Sequence, residues 1–414
     1  MLLGAILTLA GCVAPQSRGG YYAAPSALGN RNRMPEMSAT APAGRGVALL
    51  APLTGPNAER GQAMVRAAQM ALAGPGSPPL DVRDTQGTAA GAAGAASQAI
   101  AAGAGLIIGP LTALETAGAA GPARSAGVGV LAFTSDPAQA QPGVWVLGIT
   151  PVQQVRRLVA AATAQGGQRF AAVLPDTDFG RAMADALSQA TAAAGAPPPT
   201  IRFHSGAMAS MNATVRDLSG YAGRRGPIDA QIKAARAQRD ADGRRRAEEL
   251  TRTPVPPPSF NVLLLADSGD KLTALTSVLP YYDIDPANVR IIGPALWGSA
   301  QGRGDAALSG AWYAAPDPAA RATFDQAYNA AHGTPAPGVA DFAYDAAAMA
   351  KALAREGGFS TASLCRPEGF NGVDGILALQ PDGTVRRGLA IFELQRGGPI
   401  AVDPAPETIN DSGT

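Results

Sequence analysis

A two-lobed α/β architecture, built of parallel sheets flanked by helices, is the fold class that three features of this 414-residue chain predict. Short continuous apolar runs alternate with stretches whose apolar residues recur at helical spacing, which is the pattern of strands buried on both faces. The alternation begins near Arg45 and restarts at a clear boundary at Thr150. The segment from there to the end of the last run is too long for one ordinary domain and comfortable for two.

The elements follow in order. Val47 to Ala51 is an apolar run closed by Pro52-Leu53-Thr54-Gly55-Pro56, a strand ending in a turn. Met64, Ala67, Ala68, Ala71 and Leu72 then share one helical face. Leu80 to Asp84 is a second strand, and the Ala/Gly-rich segment through Gly103 predicts a small-residue helix that packs closely. Leu106-Ile107-Ile108 leads into Gly109-Pro110-Leu111-Thr112, and Val128 to Phe133 leads into Thr134-Ser135-Asp136-Pro137.

The second half opens with Thr150-Pro151-Val152-Gln153, which combines an N-cap, a proline at the first helical position and a Gln three residues after the cap. Ala171 to Leu174 is the next strand, and Pro175-Asp176-Thr177-Asp178 hands over to a helix with Phe179, Met183, Ala186 and Leu187 on its buried face. Thr200 to Phe203 follows as a strand. Between Arg224 and Arg252 the texture changes to nine Arg or Lys against five Asp or Glu, an exposed helix or helical pair ending at Pro254-Val255-Pro256-Pro257-Pro258. A net positive arm of this kind can meet a polyanion, a membrane surface or an acidic partner, or simply be solvated. Strands return at Asn261 to Ala266 and at Val289 to Ile292, the latter emptying into Gly293-Pro294-Ala295-Leu296-Trp297. Helices are expected around Phe324 and Tyr328 and from Phe342 to Leu353, and Gly375 to Leu379 with Leu389 to Leu394 reads as a closing hairpin.

Composition narrows the function. A formal net charge of +1 gives no reason to expect a nucleic-acid partner, and two cysteines, Cys12 and Cys365, exclude a disulfide framework. His204 and His332 stand apart from any metal-ligand spacing, so no metal is implied. The chain carries no nucleophile, histidine and carboxylate arrangement and no phosphate-cradling glycine loop; no catalytic residue and no cofactor are implied. At the N-terminus, Leu2 to Ala10 has the length of a secretory apolar core and ends in Leu9-Ala10-Gly11-Cys12. Residues 1–12 therefore read as a lipoprotein signal peptide and lipobox, with Cys12 the lipidation site. The apolar run is about half the 20 residues a transmembrane helix needs, so the lipid alone would provide membrane attachment. Residues 13–44, rich in Pro, Ser, Ala, Gly and Asn, read as a flexible tether.

Gly46 to Pro56 before an amphipathic helix, Gly109-Pro110 after an apolar strand, Asp178-Phe179-Gly180 opening a helix, and the segment from Phe370-Asn371-Gly372 to Asp382-Gly383 occur in an order and spacing that resemble the type I periplasmic binding fold of branched-chain amino-acid receptors. Within that superfamily the lipobox, Thr150-Pro151, Gly166-Gly167 and the Arg-rich insertion look more like the lipoprotein activators of penicillin-binding proteins. That resemblance implies a non-enzymatic, outer-membrane lipoprotein that faces the periplasm and stimulates a peptidoglycan synthase as its partner. The alternative is a periplasmic solute receptor of an ABC transporter of the branched-chain amino-acid or amide type, with a small polar ligand. It further implies three crossings, near Ile149, Pro316 and Phe359. Lobe one is then 45–148 plus 317–358, and lobe two is 150–316 plus 359–402 with the Arg-rich insertion at 224–252; residues 403–414 form a tail.

In such a fold the ligand sits where strands end and helices begin. The candidate cleft residues are Arg60, Thr112, Thr134 and Ser135 in lobe one, and Asp178, Phe179, Asp267, Ser268 and Trp297 in lobe two. Thr112 and the Thr134-Ser135 pair preserve the hydroxyl chemistry that holds a ligand carboxylate in amino-acid receptors, although helix capping explains them equally well. Arg60 stands where those receptors carry an aromatic. The turn Gly293 to Trp297 lacks the carboxylate that would hold a ligand ammonium, leaving Asp178 or Asp267 to take that role.

Overall fold

The computed structural model describes residues 44–298 and 308–409; the expected signal peptide, Cys12 and most of the tether lie outside the described residues. Lobe one is built from β1 (Gly46–Ala51), α1 (Ala58–Ala71), β2 (Leu80–Asp84), α2 (Ala89–Ala101), β3 (Ala104–Ile108), α3 (Ala113–Ser125), β4 (Gly129–Ala132) and β5 (Val144–Val146). Its sheet runs β2-β1-β3-β4-β5, with every pairing parallel. Alternate residues of β1 supply two cores: Val47, Leu49 and Ala51 pack with Met64 and Ala67 of α1, while Ala48 and Leu50 face Ala92 and Ala96 of α2 and Ala119 of α3. Burial on both faces is why the strand reads as an unbroken apolar run. The expected close approach of small-residue helices is present: a Cβ added to Gly118 in α3 would collide with the Ala89 carbonyl of α2.

The chain enters lobe two through α4 (Pro151–Ala164) and continues with β6 (Phe170–Pro175), α5 (Asp178–Ala193), β7 (Thr200–His204), α6 (Met208–Leu218), α7 (Tyr221–Ala237), α8 (Ala241–Thr251), β8 (Val262–Leu265), α9 (Gly269–Val278), β9 (Arg290–Gly293) and β10 (Trp312–Ala315). It returns to lobe one as α10 (Pro318–His332) and α11 (Gly338–Glu356); α11 covers the sheet beside α1, adding Ala346, Ala350 and Leu353 to the first core. Next come β11 (Phe370–Gly372), β12 (Gly375–Leu379) and β13 (Val385–Arg387), and last β14 (Ala390–Glu393) and β15 (Ile400–Asp403). The second sheet has the order β15-β14-β10-β9-β8-β6-β7, parallel except where β14 and β15 join it. The two-lobed α/β class is therefore the observed one.

The end of the chain departs from the expected hairpin. β12 pairs with β13 rather than with 389–394, and that small sheet packs on lobe one through Phe370, Leu377, Leu379 and Val385. The Trp145 indole donates to the Gln380 carbonyl at 2.7 Å and fixes it there. Residues 359–387 accordingly pack with lobe one, and the third crossing falls at Gly388-Leu389 instead of near Phe359. The physical reason is apolar area: Phe359 and Leu364 are also buried in the first core.

Side chains of α4 fasten the crossings to one another. Gln153 completes a capping box with Thr150 and donates to the Val385 carbonyl at 2.6 Å, and Arg157 donates to the Leu389 carbonyl at 2.8 Å. Arg387 donates to the Leu147 carbonyl at 2.8 Å. Beside it lies a buried acidic group: Asp341 and Asp345 on α11 and Asp374 in the β11–β12 turn, faced by Arg321 of α10 and by Arg387. Burial and the Asp374 charge raise the Asp341 carboxyl, and Arg321, although paired with it, pulls it back only in part. Burial likewise lifts Asp345 to about 7, against the pull of the Val373 N–H and the Arg387 charge.

Asp345 thus binds its proton more tightly when folded (about 7) than when unfolded (3.8), so the stability it adds is complete below the unfolded value and is lost as pH rises through 7. Urea unfolding midpoints should fall across that window, and Asp345→Asn should flatten the fall. An unchanged slope in the variant would assign the dependence to another group.

Candidate functional site: the turns at the strand ends

Both sheets end their parallel strands on edges lined by strand-to-helix turns, and the candidate residues lie there. In the turn after β1, the Leu53 N–H and the Thr54 hydroxyl donate to Asp84 at 2.9 and 2.8 Å. Desolvation opposes ionisation of Asp84, but the N–H groups of Gln86 and Leu53 and the Thr54 hydroxyl outweigh it and hold the carboxyl below its ordinary value. Arg60 is exposed on α1.

The turn after β3, which contains a cis Gly109-Pro110 peptide, delivers Thr112 to the start of α3. Thr112 is fully engaged there. Its N–H and hydroxyl donate to Glu115 Oε2 at 2.9 and 2.6 Å, and its oxygen accepts the Glu115 N–H at 3.3 Å. The other carboxylate oxygen, Oε1, accepts from the Thr85 hydroxyl. Glu115 and Thr85 are both fully buried. The positive end of α3 is therefore met by an anion belonging to the protein itself. Thr134, also buried, accepts the Asp136 N–H at 3.1 Å, while Ser135 is exposed.

Across in lobe two, Thr177 caps α5 through the Gly180 N–H at 3.1 Å. Asp178 is solvent-exposed and lies 3.3 Å from Arg181, which also pairs with Asp176. Phe179 is half-buried and packs against the lobe-two core. Asp267 is buried and held by His204: the Gly206 N–H donates to His204 Nδ1 at 3.1 Å, which places the ring proton on Nε2, 2.9 Å from Asp267 Oδ2. Ser268 is exposed at the start of α9.

Trp297 turns away from the turns and into lobe two. It is 1% exposed, packs with Leu265, Ile291 and Tyr313, and donates from Nε1 to the Asp267 carbonyl at 2.9 Å. A Cβ on Gly293 would overlap its ring, so that glycine makes the room. The structure brings Asp267 and Trp297 together as a core pair. Exposed at the strand ends are Thr54, Arg60, Ser135, Asp178, Ser268 and Leu296. The residues that sequence reasoning missed are Glu115, Thr85 and Asp84. Glu115 had a signal, because Thr112-x-x-Glu115 is the capping-box spacing; the tertiary partners Thr85 and Asp84 had none. Among the described residues no group of three or more His, Cys, Asp or Glu is placed to hold a metal ion, and no helix is long and apolar enough to cross a membrane.

This architecture is that of a two-lobed binding protein, and the comparisons agree. The chain belongs to the periplasmic binding protein family, whose sequence profile matches residues 46–399. Among solved structures it is similar to the C-domain of LpoA from Haemophilus influenzae, a regulator of PBP1A, at 18% identity over 86% of this chain and 99% of that one, with a TM-score of 0.61. It spans 59% of full-length LpoA from the same organism. An ABC transporter substrate-binding protein from Desulfitobacterium hafniense is 15% identical over 86% of this chain and 99% of its own, with a TM-score of 0.58. The branched-chain amino acid transporter substrate-binding protein LivJ from Streptococcus pneumoniae, in complex with isoleucine, is 14% identical over 87% and 99%, with a TM-score of 0.51. No curated protein matches the sequence. At these identities the structures establish a fold shared by regulator and solute receptors alike.

Replacing Glu115 with Ala should leave the Thr85 hydroxyl proton and the Thr112 N–H without acceptors and cost about 1 to 3 kcal/mol, measured by chemical denaturation. Trp297→Ala should cost about 3 to 5 kcal/mol by opening a cavity in lobe two. If Trp297 acted only on a ligand, the apoprotein would keep its stability.

Proposed function

We propose that this chain is a non-enzymatic periplasmic receptor for a small polar solute that carries no ammonium group, of the kind that serves an ABC transporter. The observation that carries this reading is the state of the two anchors an α-amino acid would need. At α3 the N–H and hydroxyl of Thr112 are taken up by the Glu115 carboxylate, so a ligand carboxylate arriving there meets a like charge and finds both Thr112 donors already spent. In lobe two the Gly293 to Trp297 turn carries no acid, Asp267 is committed to His204, and the exposed Asp178 is already paired with Arg181 at 3.3 Å. An ammonium group would be desolvated without a partner, at a cost of several kcal/mol. What remains toward solvent are short hydroxyl side chains, Ser135 and Ser268, with the Arg60 guanidinium. These suit an amide, a polyol or a hydroxy acid.

A second reading is that the body regulates a penicillin-binding protein from a lipid anchor at Cys12, in the outer membrane. It draws support from the coverage of 99% of the LpoA C-domain and from the same sealed cap at α3, which a protein-docking module has no need to keep open.

The readings separate in a thermal-shift experiment. The receptor should be stabilised by members of a panel of amides, polyols and hydroxy acids, by about 2.7 kcal/mol when ligand is at 100 times Kd, and unaffected by leucine or isoleucine. Arg60→Ala and Ser135→Val should abolish the shift without altering the unliganded midpoint. Stabilisation by leucine would overturn the ligand class. Silence across the panel, together with cross-linking to a periplasmic peptidoglycan synthase, would favour the regulator.

A further inference from the structure

The connection from β7 to β8 holds far more chain than its crossover requires. Met211, Val215 and Leu218 of α6 already cover the sheet. α7 and α8 add nothing to either lobe-two core; they close on each other through Ile228, Ile232, Ala235 and Ala247. The hairpin is rooted at its base. Arg224 donates to the carbonyls of Ser219, Pro256 and Tyr282 at 2.8, 2.5 and 2.7 Å, and Tyr221 meets Tyr282 edge-on at 5.3 Å. It is a self-contained arm on a fixed mount.

Its positive charges outnumber its negative ones, and few of them are paired. Three of the five acids are already committed: Asp229 to Arg225 at 2.8 Å, Asp242 to Arg245, and Asp240 to the Gly243 N–H as the cap of α8. Lys233, Arg236, Arg239, Arg244, Arg246 and Arg252 are exposed and in no ion pair among the described residues. Six unpaired cations thus stand against Glu248, Glu249 and Asp240, whose N–H partner leaves its charge in place. Leaving them unpaired on one arm concentrates positive potential there.

We infer that the α7–α8 arm is a docking surface for an anionic phospholipid membrane. Protein interfaces are anchored by buried aromatic or aliphatic side chains in shaped pockets. The arm exposes none: Ile228, Ile232 and Leu250 close its own small core, Tyr221 meets Tyr282 at the mount, and none of them is among the large exposed hydrophobics of the described residues. Dispersed cations without an apolar anchor match a surface whose charges rearrange laterally, where each Lys or Arg near the headgroups adds to the attraction. The sequence supplies a reason for proximity. If Cys12 is acylated, residues 13–43 let Gly44 stand at most about 110 Å from the bilayer. That clause rests on the lipoprotein reading; the charge argument does not.

The test uses the full chain carrying Cys12→Ser, so that no acyl group can account for binding. It should sediment with vesicles containing about one-third phosphatidylglycerol, not with pure phosphatidylcholine, and should be released at high salt. The combined variant Arg236→Ser, Arg239→Ser, Arg244→Ser and Arg246→Ser should lose at least about tenfold in affinity with an unchanged thermal midpoint, because these side chains are exposed and unpaired. Glu248→Gln with Glu249→Gln should bind more tightly, a gain that misfolding could not produce. Equal sedimentation with neutral vesicles, indifference to the four substitutions, or binding to polyglutamate but not to vesicles would overturn the inference. The last result would assign the arm to an acidic protein.

Discussion

Burying both faces of a parallel sheet is the constraint on which this molecule depends. It requires apolar side chains on every residue of the central strands and helices on either side, and it leaves only the strand ends free to carry chemistry. β1 and β6 show the rule, each splitting its residues between two cores. With the interior so specified, the polar side chains gather in the turns at the strand ends, and the proposed site is shaped by what those turns keep for themselves.

They keep a good deal. Glu115 occupies the end of α3, Asp84 holds the turn after β1, and His204 holds Asp267. Each bond stabilises the scaffold and removes a group from the reach of a ligand. Structural capping and solute binding use the same donors, so the two uses exclude one another at Thr112. The receptors and the regulator that share this fold differ in function without differing in architecture, and such local commitments are where a difference can arise.

The sequence exposed the strands and the α4 capping box because these are local patterns: apolar runs of fixed length, and a cap with its partner three residues on. It also exposed which turns line the strand ends. It did not expose how Trp297 is oriented, since a tryptophan after a glycine-proline turn reads alike whether it faces solvent or packs over Gly293. The pairing of β12 was misread for a related reason. Two apolar runs around a Pro-Asp-Gly-Thr turn suggest a hairpin, yet β13 is only three residues long and polar at Arg386 and Arg387, so the stronger apolar run behind it drew the assignment. Long-range partners such as Thr85 for Glu115, or Leu147 for Arg387, leave no mark along the chain.

The return of the chain to lobe one has a consequence for biosynthesis. α11, which covers the α1 side of the first sheet, is translated almost three hundred residues after β1, an interval of roughly 15 to 60 s at ordinary elongation rates. Until then Val47, Leu49 and their neighbours are covered on that side by α1 without α11, and lobe two is itself unfinished until β14 emerges. Neither half can be completed before the other is nearly complete.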